Sequence, residues 1–384
     1  MTKNLDADVL IIGAGIVGLA NALAYSKRGF KVIVFERNAQ AVGASIRNFG
    51  MVWPIGQPAG NLYNRALNSR KIWLDLAEKA NFYASQDGSL HLVYRQDELG
   101  VIEEFVSSRP EQQNNLKLLT VQEVEARSQA VNFQGLLGGL WSSTEVIVDP
   151  REALKKIPQY LAETYLVDFE YGTAITNISY PQLVAGEKTW RGDKILVCSG
   201  TDFETLYPEI FAKTEITKVK LQMMRTVVQP NQWKLGPALC GGLTLTHYTA
   251  FAHCPSLPLL KERIAQETPH FPQWGIHVMM SQNGLGELII GDTHESGLNP
   301  DPFDKIELND YVLDYLKTFA NVPVLKIAET WHGIYGKLPQ KTELILHPEQ
   351  GVTIINGLGG AGMTLSFGLA EEIMQNEDEE LIYV

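Results

Sequence analysis

The sequence predicts an α/β protein in two parts: a parallel sheet flanked by helices, and a second part of α+β type built on an antiparallel sheet. Three observations carry this expectation. Asp8–Ile12 is a short apolar run rich in β-branched residues, the pattern of a strand buried on both faces. It passes without a gap into Gly13-Ala-Gly15-Ile-Val-Gly18 and then into a stretch of helical composition. Later, Leu243–Phe251, Ile276–Ser281 and Glu287–Gly291 read as strands separated by turn residues rather than by crossover helices.

The first elements follow in order. The helical stretch after Gly18 runs to Arg28 and is closed by Gly29, a suitable residue just past a helix end. Lys31–Phe35 is the second strand, ended by Glu36, and Lys194–Gly200 reads as another buried strand with a tight glycine turn. The apolar run from Val9 to Tyr25 is broken by three glycines and Asn21, so it reads as strand, turn and helix and not as a membrane span.

Composition narrows the function. A chain of 384 residues allows two domains. Lys plus Arg total 32 against 44 Asp plus Glu, a net charge of −12. Such a surface disfavours nucleic acid and anionic membrane. Cys198, Cys240 and Cys254 are too few for a disulfide framework and fit a reducing compartment. Met1–Asp8 is polar, carries two acidic residues and has no basic segment. A cytoplasmic protein without a membrane span is expected. The charge run Glu377–Glu380 reads as a solvated tail. No metal site is expected: Cys240, His247, His253 and Cys254 lie close in sequence but lack ligand spacing.

The glycine motif has a physical job at each position. The first glycine permits a tight turn, the second lets backbone N–H groups approach a pyrophosphate, and the third lets helix and strand pack closely. The helix N-terminus then offers unpaired donors to the phosphates. Glu36, 18 residues after Gly18, stands where an acid accepts ribose hydroxyls. A dinucleotide with an unphosphorylated ribose is expected, with Arg37 either against it or on a solvated rim.

Further segments select the dinucleotide. Val42–Met51 is polar and glycine-bearing, suited to folding over a pyrophosphate and a flavin. Asn356-Gly-Leu-Gly-Gly-Ala-Gly-Met363-Thr364 is a second glycine-rich turn that enters a helical stretch running to Met374. Glu145-Val-Ile-Val-Asp149-Pro150 reads as a strand leading into a helix capped by Asp149, with Pro150 at its first position. Gly286–Asp292 and Trp331–Gly336 complete the set. Together these resemble the FAD-dependent D-amino-acid oxidase, glycine oxidase and sarcosine oxidase family, over nearly the whole chain.

The resemblance implies a discontinuous, Rossmann-like FAD-binding domain (1–80, 145–220 and 328–384) and a substrate domain (81–144 and 221–327). It implies a noncovalently held FAD contacting Gly13, Gly15, Ile16, Val17, Gly18, Glu36, Arg37, Ser45, Asn48, Gly50, Met51, Ile175, Gly200, Gly333, Gly359, Gly360, Gly362, Met363 and Thr364. It implies oxidation of a small amine by hydride transfer to flavin, hydrolysis of the imine, and reoxidation by dioxygen with release of hydrogen peroxide. A dehydrogenase of the same fold, passing electrons to a quinone or carrier, is equally implied.

The substrate segment departs from the family pattern. In amino-acid-oxidising members the run matching Trp331–Gly336 usually reads Gly-Leu-Arg-Pro, and its arginine clamps a carboxylate. Here the run is Gly333-Ile334-Tyr335-Gly336, followed by Lys337. A phenol and an ammonium do not reproduce a planar fork. The string Ser45–Pro58 resembles a branch linked to aminoalkylphosphonate breakdown, so 2-aminoethylphosphonate or its N-methyl form stands beside glycine, sarcosine and D-amino acids as expected substrate. Candidate binders are Arg47, Arg225, His277, His332, Tyr335 and Lys337. Four of them have another reading: Arg47 against the FAD pyrophosphate or a sheet carboxylate, Arg225 in a salt bridge, His277 toward flavin or solvent, and His332 as a core histidine beside Trp331. Met51 and Trp53 either line the flavin or pack the core. No paired carboxylates stand out as acid and base.

Overall fold

In the computed structural model, which describes residues 6–382 and side-chain surroundings through Asn376, the first strand spans Ala7–Ile12. It pairs in parallel with Val32–Glu36 on one side and Lys188–Val197 on the other. Asp168–Tyr171 and Val352–Asn356 extend the parallel sheet outward, and Leu344–Glu349 closes one edge antiparallel. The side chains of the charge run Glu377–Glu380, and residues 1–5, lie outside the described residues.

Both faces of this eight-stranded sheet are covered, which is why its central strands read as continuous apolar runs. Val9, Ile11, Val34 and Leu196 face the helices Ile16–Ser26, Asn61–Ala80, Pro150–Tyr165 and Gly362–Ile382. Leu10, Ile33, Phe35, Ile195 and Val197 pack on the other side against Ile175, Phe203, Phe211 and Leu344. The expected start of the helix at Pro150 is borne out. Asp149 Oδ1 accepts from the backbone N–H groups of Arg151 and Glu152, at 2.9 and 3.2 Å.

The second sheet has nine strands and is antiparallel except where Ala238–Cys240 runs parallel to Ser89–Val93. Its longest pair is Thr217–Thr226 with Ile327–Lys337. That second strand starts where sequence reasoning placed the return to the FAD-binding domain, and all of it lies in the second sheet. Leu288–Gly291 and Met279–Gln282 match two of the expected strands.

The third expected strand is a correction. Leu243–His247 is α-helical and Thr249–Phe251 is a 3-10 turn. Alternating leucine and threonine mimicked a strand, but Leu243, Thr244 and Leu245 are all buried, so no face alternates. The threonines also bond to carbonyls: Thr246 Oγ1 donates to Leu243 O at 2.8 Å.

Trp73 ties two helices of the first unit together. It is fully buried, meets Phe82 and Phe367 edge-on at 6.1 and 5.1 Å, and donates from Nε1 to Met363 O at 2.7 Å. Trp73→Ala is expected to destabilise the fold by about 3–5 kcal/mol. Trp73→Phe, which keeps most of the apolar contact, should lose less. Urea unfolding midpoints of the two variants check the order.

Candidate active site

A cavity of about 970 Å³ opens between the two sheets. One end is built by the glycine turn after Ile12. Gly13 has a φ of +105°, and a Cβ there would sit 2.3 Å from Cys198 O. A Cβ on Gly18 would sit 1.8 Å from Gly13 O. These two glycines therefore let the backbone pack on itself. Gly15 differs: a Cβ there would meet Ser45 Oγ at 3.2 Å and otherwise project into the cavity.

The helix that starts at Ile16 has no side-chain cap from Gly15. Ser45 Oγ accepts from Ile16 N at 2.9 Å instead. The helix thus presents a positive end toward the cavity, where a pyrophosphate is stabilised. At the end of the second strand, Glu36 accepts from Ala14 N at 3.1 Å and from Asn38 N at 3.0 Å, which fixes its carboxylate at the cavity wall. Arg37 lies half-exposed on the rim and pairs with Asp202. Asn48 holds its own loop, donating to Ala44 O and accepting from Gly50 N. A turn lacking a Cβ, a helix N-terminus and a fixed acid make a donor and acceptor set that fits an adenine dinucleotide.

Most residues expected at the cofactor line this cavity, including Met51, Ile175, Gly200, Gly333, Gly359, Gly360, Gly362, Met363 and Thr364. Gly18 and Gly50 do not, because both are consumed by packing: a Cβ on Gly50 would lie 2.0 Å from Val148 O. Thr364 Oγ1 accepts from Trp53 N at 2.9 Å and so anchors the start of the last helix to the opposite wall.

The expected substrate binders divide. Arg47, His277, Tyr335 and Lys337 line the cavity. Arg225 lies outside it, held by Glu287 and Glu329 at 2.8 Å each. His332 also lies outside, with Nδ1 2.9 Å from Asp304 Oδ1. Arg225 follows the salt-bridge alternative, whereas His332 is neither a substrate binder nor a core histidine: its half-buried ring pairs with Asp304. Arg47 is turned along the strand and donates to His332 O at 3.3 Å.

Tyr335 and Lys337 reach the second glycine turn. A Cβ on Gly360 would lie 3.5 Å from Tyr335 Oη, and one on Gly359 would lie 3.6 Å from Lys337 Cγ. Burial raises the Tyr335 phenol above its ordinary range, and so does the nearby Asp292. The phenol therefore stays protonated and can donate.

Beside Tyr335 the structure brings together residues that sequence reasoning left apart. His247, His277 and His294 place ring nitrogens within 4.8 Å of one another, next to the buried Asp292. Burial holds His247 and His277 well below the usual imidazole range and pushes His294 down to about 4. It drives the Asp292 carboxyl upward. Both directions favour uncharged groups. Spacings of 30 and 17 residues gave no local signal for this cluster.

A family model described as FAD dependent oxidoreductase matches residues 8–375. A comparison by sequence with curated proteins finds no match. Among solved structures, the chain resembles glycine oxidase from Bacillus cereus ATCC 14579, with 18% identity, a TM-score of 0.77, and coverage of 98% of this chain and 96% of that one. It resembles L-proline dehydrogenase from P. horikoshii at 19% identity and a TM-score of 0.76, covering 97% and 94%. It resembles iminodiacetate oxidase from Chelativorans sp. BNC1 at 19% identity and a TM-score of 0.70, covering 96% and 95%. These likenesses establish the fold. Among the described residues, no helix is long and apolar enough to cross a membrane.

Gly15→Val fills the space beside Ser45 while leaving the packing glycines intact. It is expected to purify without FAD, with far-ultraviolet dichroism unchanged. A yellow variant with one FAD per chain would refute the assignment of this turn.

Proposed function

The chain belongs to the FAD dependent oxidoreductase family whose model spans residues 8–375, and from that premise we propose that it oxidises the C–N bond of a small amine carrying an anionic group, with an aminoalkylphosphonate as the favoured class. The observation that carries this reading is the pairing of Tyr335 and Lys337 at the cavity wall against Gly359 and Gly360. A phenol donor beside an ammonium suits a tetrahedral anion, which needs charge and several donors more than a planar fork.

FAD, when bound, would supply the two-electron acceptor for the amine's α-carbon, with dioxygen or another acceptor as the final oxidant. The chain's residues position the reactants. Gly13–Ile16 and Glu36 would hold the dinucleotide end, and Gly362–Thr364, which open the last helix, line the cavity, where their backbone donors would stabilise developing negative charge. Lys337 draws in the anionic end of the substrate. The buried walls from Met51, Trp53, Met223 and Met279 exclude water and favour the neutral amine. The imine is then hydrolysed by water to an aldehyde or oxo acid, with release of ammonia or a smaller amine.

The structurally similar glycine oxidase and iminodiacetate oxidase support amine chemistry, and they make glycine, sarcosine and D-alanine the comparison substrates. The test is anaerobic mixing of the yellow protein with 2-aminoethylphosphonate, its N-methyl form and these amino acids. Bleaching near 450 nm by the phosphonates in preference is the expected result. Bleaching by the amino acids alone would overturn the phosphonate assignment and leave amine oxidation standing. Lys337→Met should weaken the anionic substrate by roughly ten- to a hundredfold, the loss of one charge-assisted contact, with FAD retained.

A further inference from the structure

One wall of the cavity carries a cluster that amine oxidation does not call for. His247 ends the short helix Leu243–His247, His277 precedes the strand Met279–Gln282, and Asp292 and His294 follow the strand Leu288–Gly291. Backbone pairing fixes two of them: Asp292 N donates to His277 O at 2.9 Å, and His277 N donates to Asp292 O at 3.3 Å. Three segments distant in sequence thus deliver three imidazoles and a carboxylate to one place.

The protein leaves two atoms of this cluster unsatisfied. His277 Nε2 lies 3.1 Å from Asp292 Oδ1, but the contact lacks hydrogen-bond alignment. Asp292 Oδ1 and His277 Nδ1 are both buried without a partner. Asp292 is 4% exposed and His277 3%. A carboxylate oxygen buried without a hydrogen-bond partner is unfavourable unless something positive joins it. Orphaned buried polar atoms call for a bound ion or water.

We propose that His247, His277, His294 and Asp292 form a site for one divalent transition-metal ion of the Zn²⁺ class, with a fifth coordination position facing the cavity. Imidazole nitrogen with a carboxylate oxygen is the donor set such ions take. Ligation uses an unprotonated imidazole nitrogen, and the three rings bring such nitrogens within 4.8 Å of one another. His294 Nδ1 lies 2.9 Å from Gly275 O. That bond assigns the proton to Nδ1 and leaves Nε2 free, 3.9 Å from Asp292 Oδ2, in the manner of a carbonyl that orients a ligand histidine.

Metal–nitrogen bonds near 2.0–2.1 Å set adjacent ligand atoms roughly 2.9–3.5 Å apart around a five-coordinate ion. The His277–Asp292 pair is already at that spacing. His247 now lies face to face with His277, ring centres 3.7 Å apart, so His247 is the ring that turns when the ion binds. The ion's role rests on the amine reading: its fifth position takes an oxygen of the substrate's acid group, beside Lys337 and Tyr335.

The experiment uses tag-free, FAD-loaded protein stripped with EDTA and titrated with ZnCl₂ against a chromophoric chelator. The expected result is one Zn²⁺ per chain. His277→Ala and His294→Ala should weaken binding by roughly a hundredfold or more, and Asp292→Asn by roughly tenfold or more. His253→Ala, on an exposed residue away from the cavity, should leave it unchanged. FAD content and melting temperature establish that each variant is folded. A folded, yellow wild-type protein that takes up no Zn²⁺, Ni²⁺ or Co²⁺ overturns the proposal, as does equal uptake by His277→Ala. The amine reading fails separately, when Zn²⁺-loaded protein is reduced by none of the amines.

Discussion

The structure depends on a backbone contact with no room for side chains. Gly18 lies so close to Gly13, and Gly13 so close to Cys198, that a Cβ at either place would overlap a carbonyl oxygen. This contact sets the helix Ile16–Ser26 hard against the central strands. The consequences spread from there. The helix end points at the cavity, Ser45 folds over to accept from Ile16, and the last helix packs along the first. The cavity's dinucleotide end is therefore a by-product of how strand and helix must pack, and only Gly15 is left over to serve the ligand directly.

The other end of the cavity is fixed by a second constraint, the long antiparallel pair Thr217–Thr226 and Ile327–Lys337. Its register sets Gly333 opposite Leu221, where a Cβ would crowd Arg47 O at 2.9 Å. The Arg47 loop can then close on the strand, with Trp331 Nε1 donating to Arg47 O. Two residues on, Tyr335 faces the glycine turn of the first unit, and Lys337 bridges to Leu358. The strand that carries the substrate-facing groups is thus tied to the turn that opens the final helix. A shift at that junction would move the substrate groups and the helix N-terminus together.

What was legible in the sequence was local. Gly13-Ala-Gly15-Ile-Val-Gly18, Glu36 and the Asp149-Pro150 cap each act within a few residues of themselves or within one strand–helix–strand unit, so spacing alone exposes them. Arg225 and His332 show the limit. Their residue types suit an anion, but their partners Glu287, Glu329 and Asp304 come from elsewhere in the chain. The histidine cluster is the same problem inverted, because antiparallel pairing brings His277 beside Asp292 and no spacing rule records it. The strand expected at Leu243–Phe251 failed for a different reason: alternation of apolar and polar residues signals a strand only when one face is wet, and here both are buried.

The cavity's charges are distributed unevenly, and this bears on what it can bind. At the dinucleotide end the ionic groups are largely compensated within the protein, Glu36 by backbone donors and Arg37 by Asp202. At the other end, burial favours the uncharged forms of His247, His277, His294, Asp292 and Tyr335. Lys337 extends toward that neutral surface and itself opposes protonation of all three histidines. A neutral amine joined to an anionic group matches this arrangement, since the anion can meet Lys337 while the amine enters an apolar wall without a charge of its own. A cationic amine with no anion would meet only repulsion from Lys337 there.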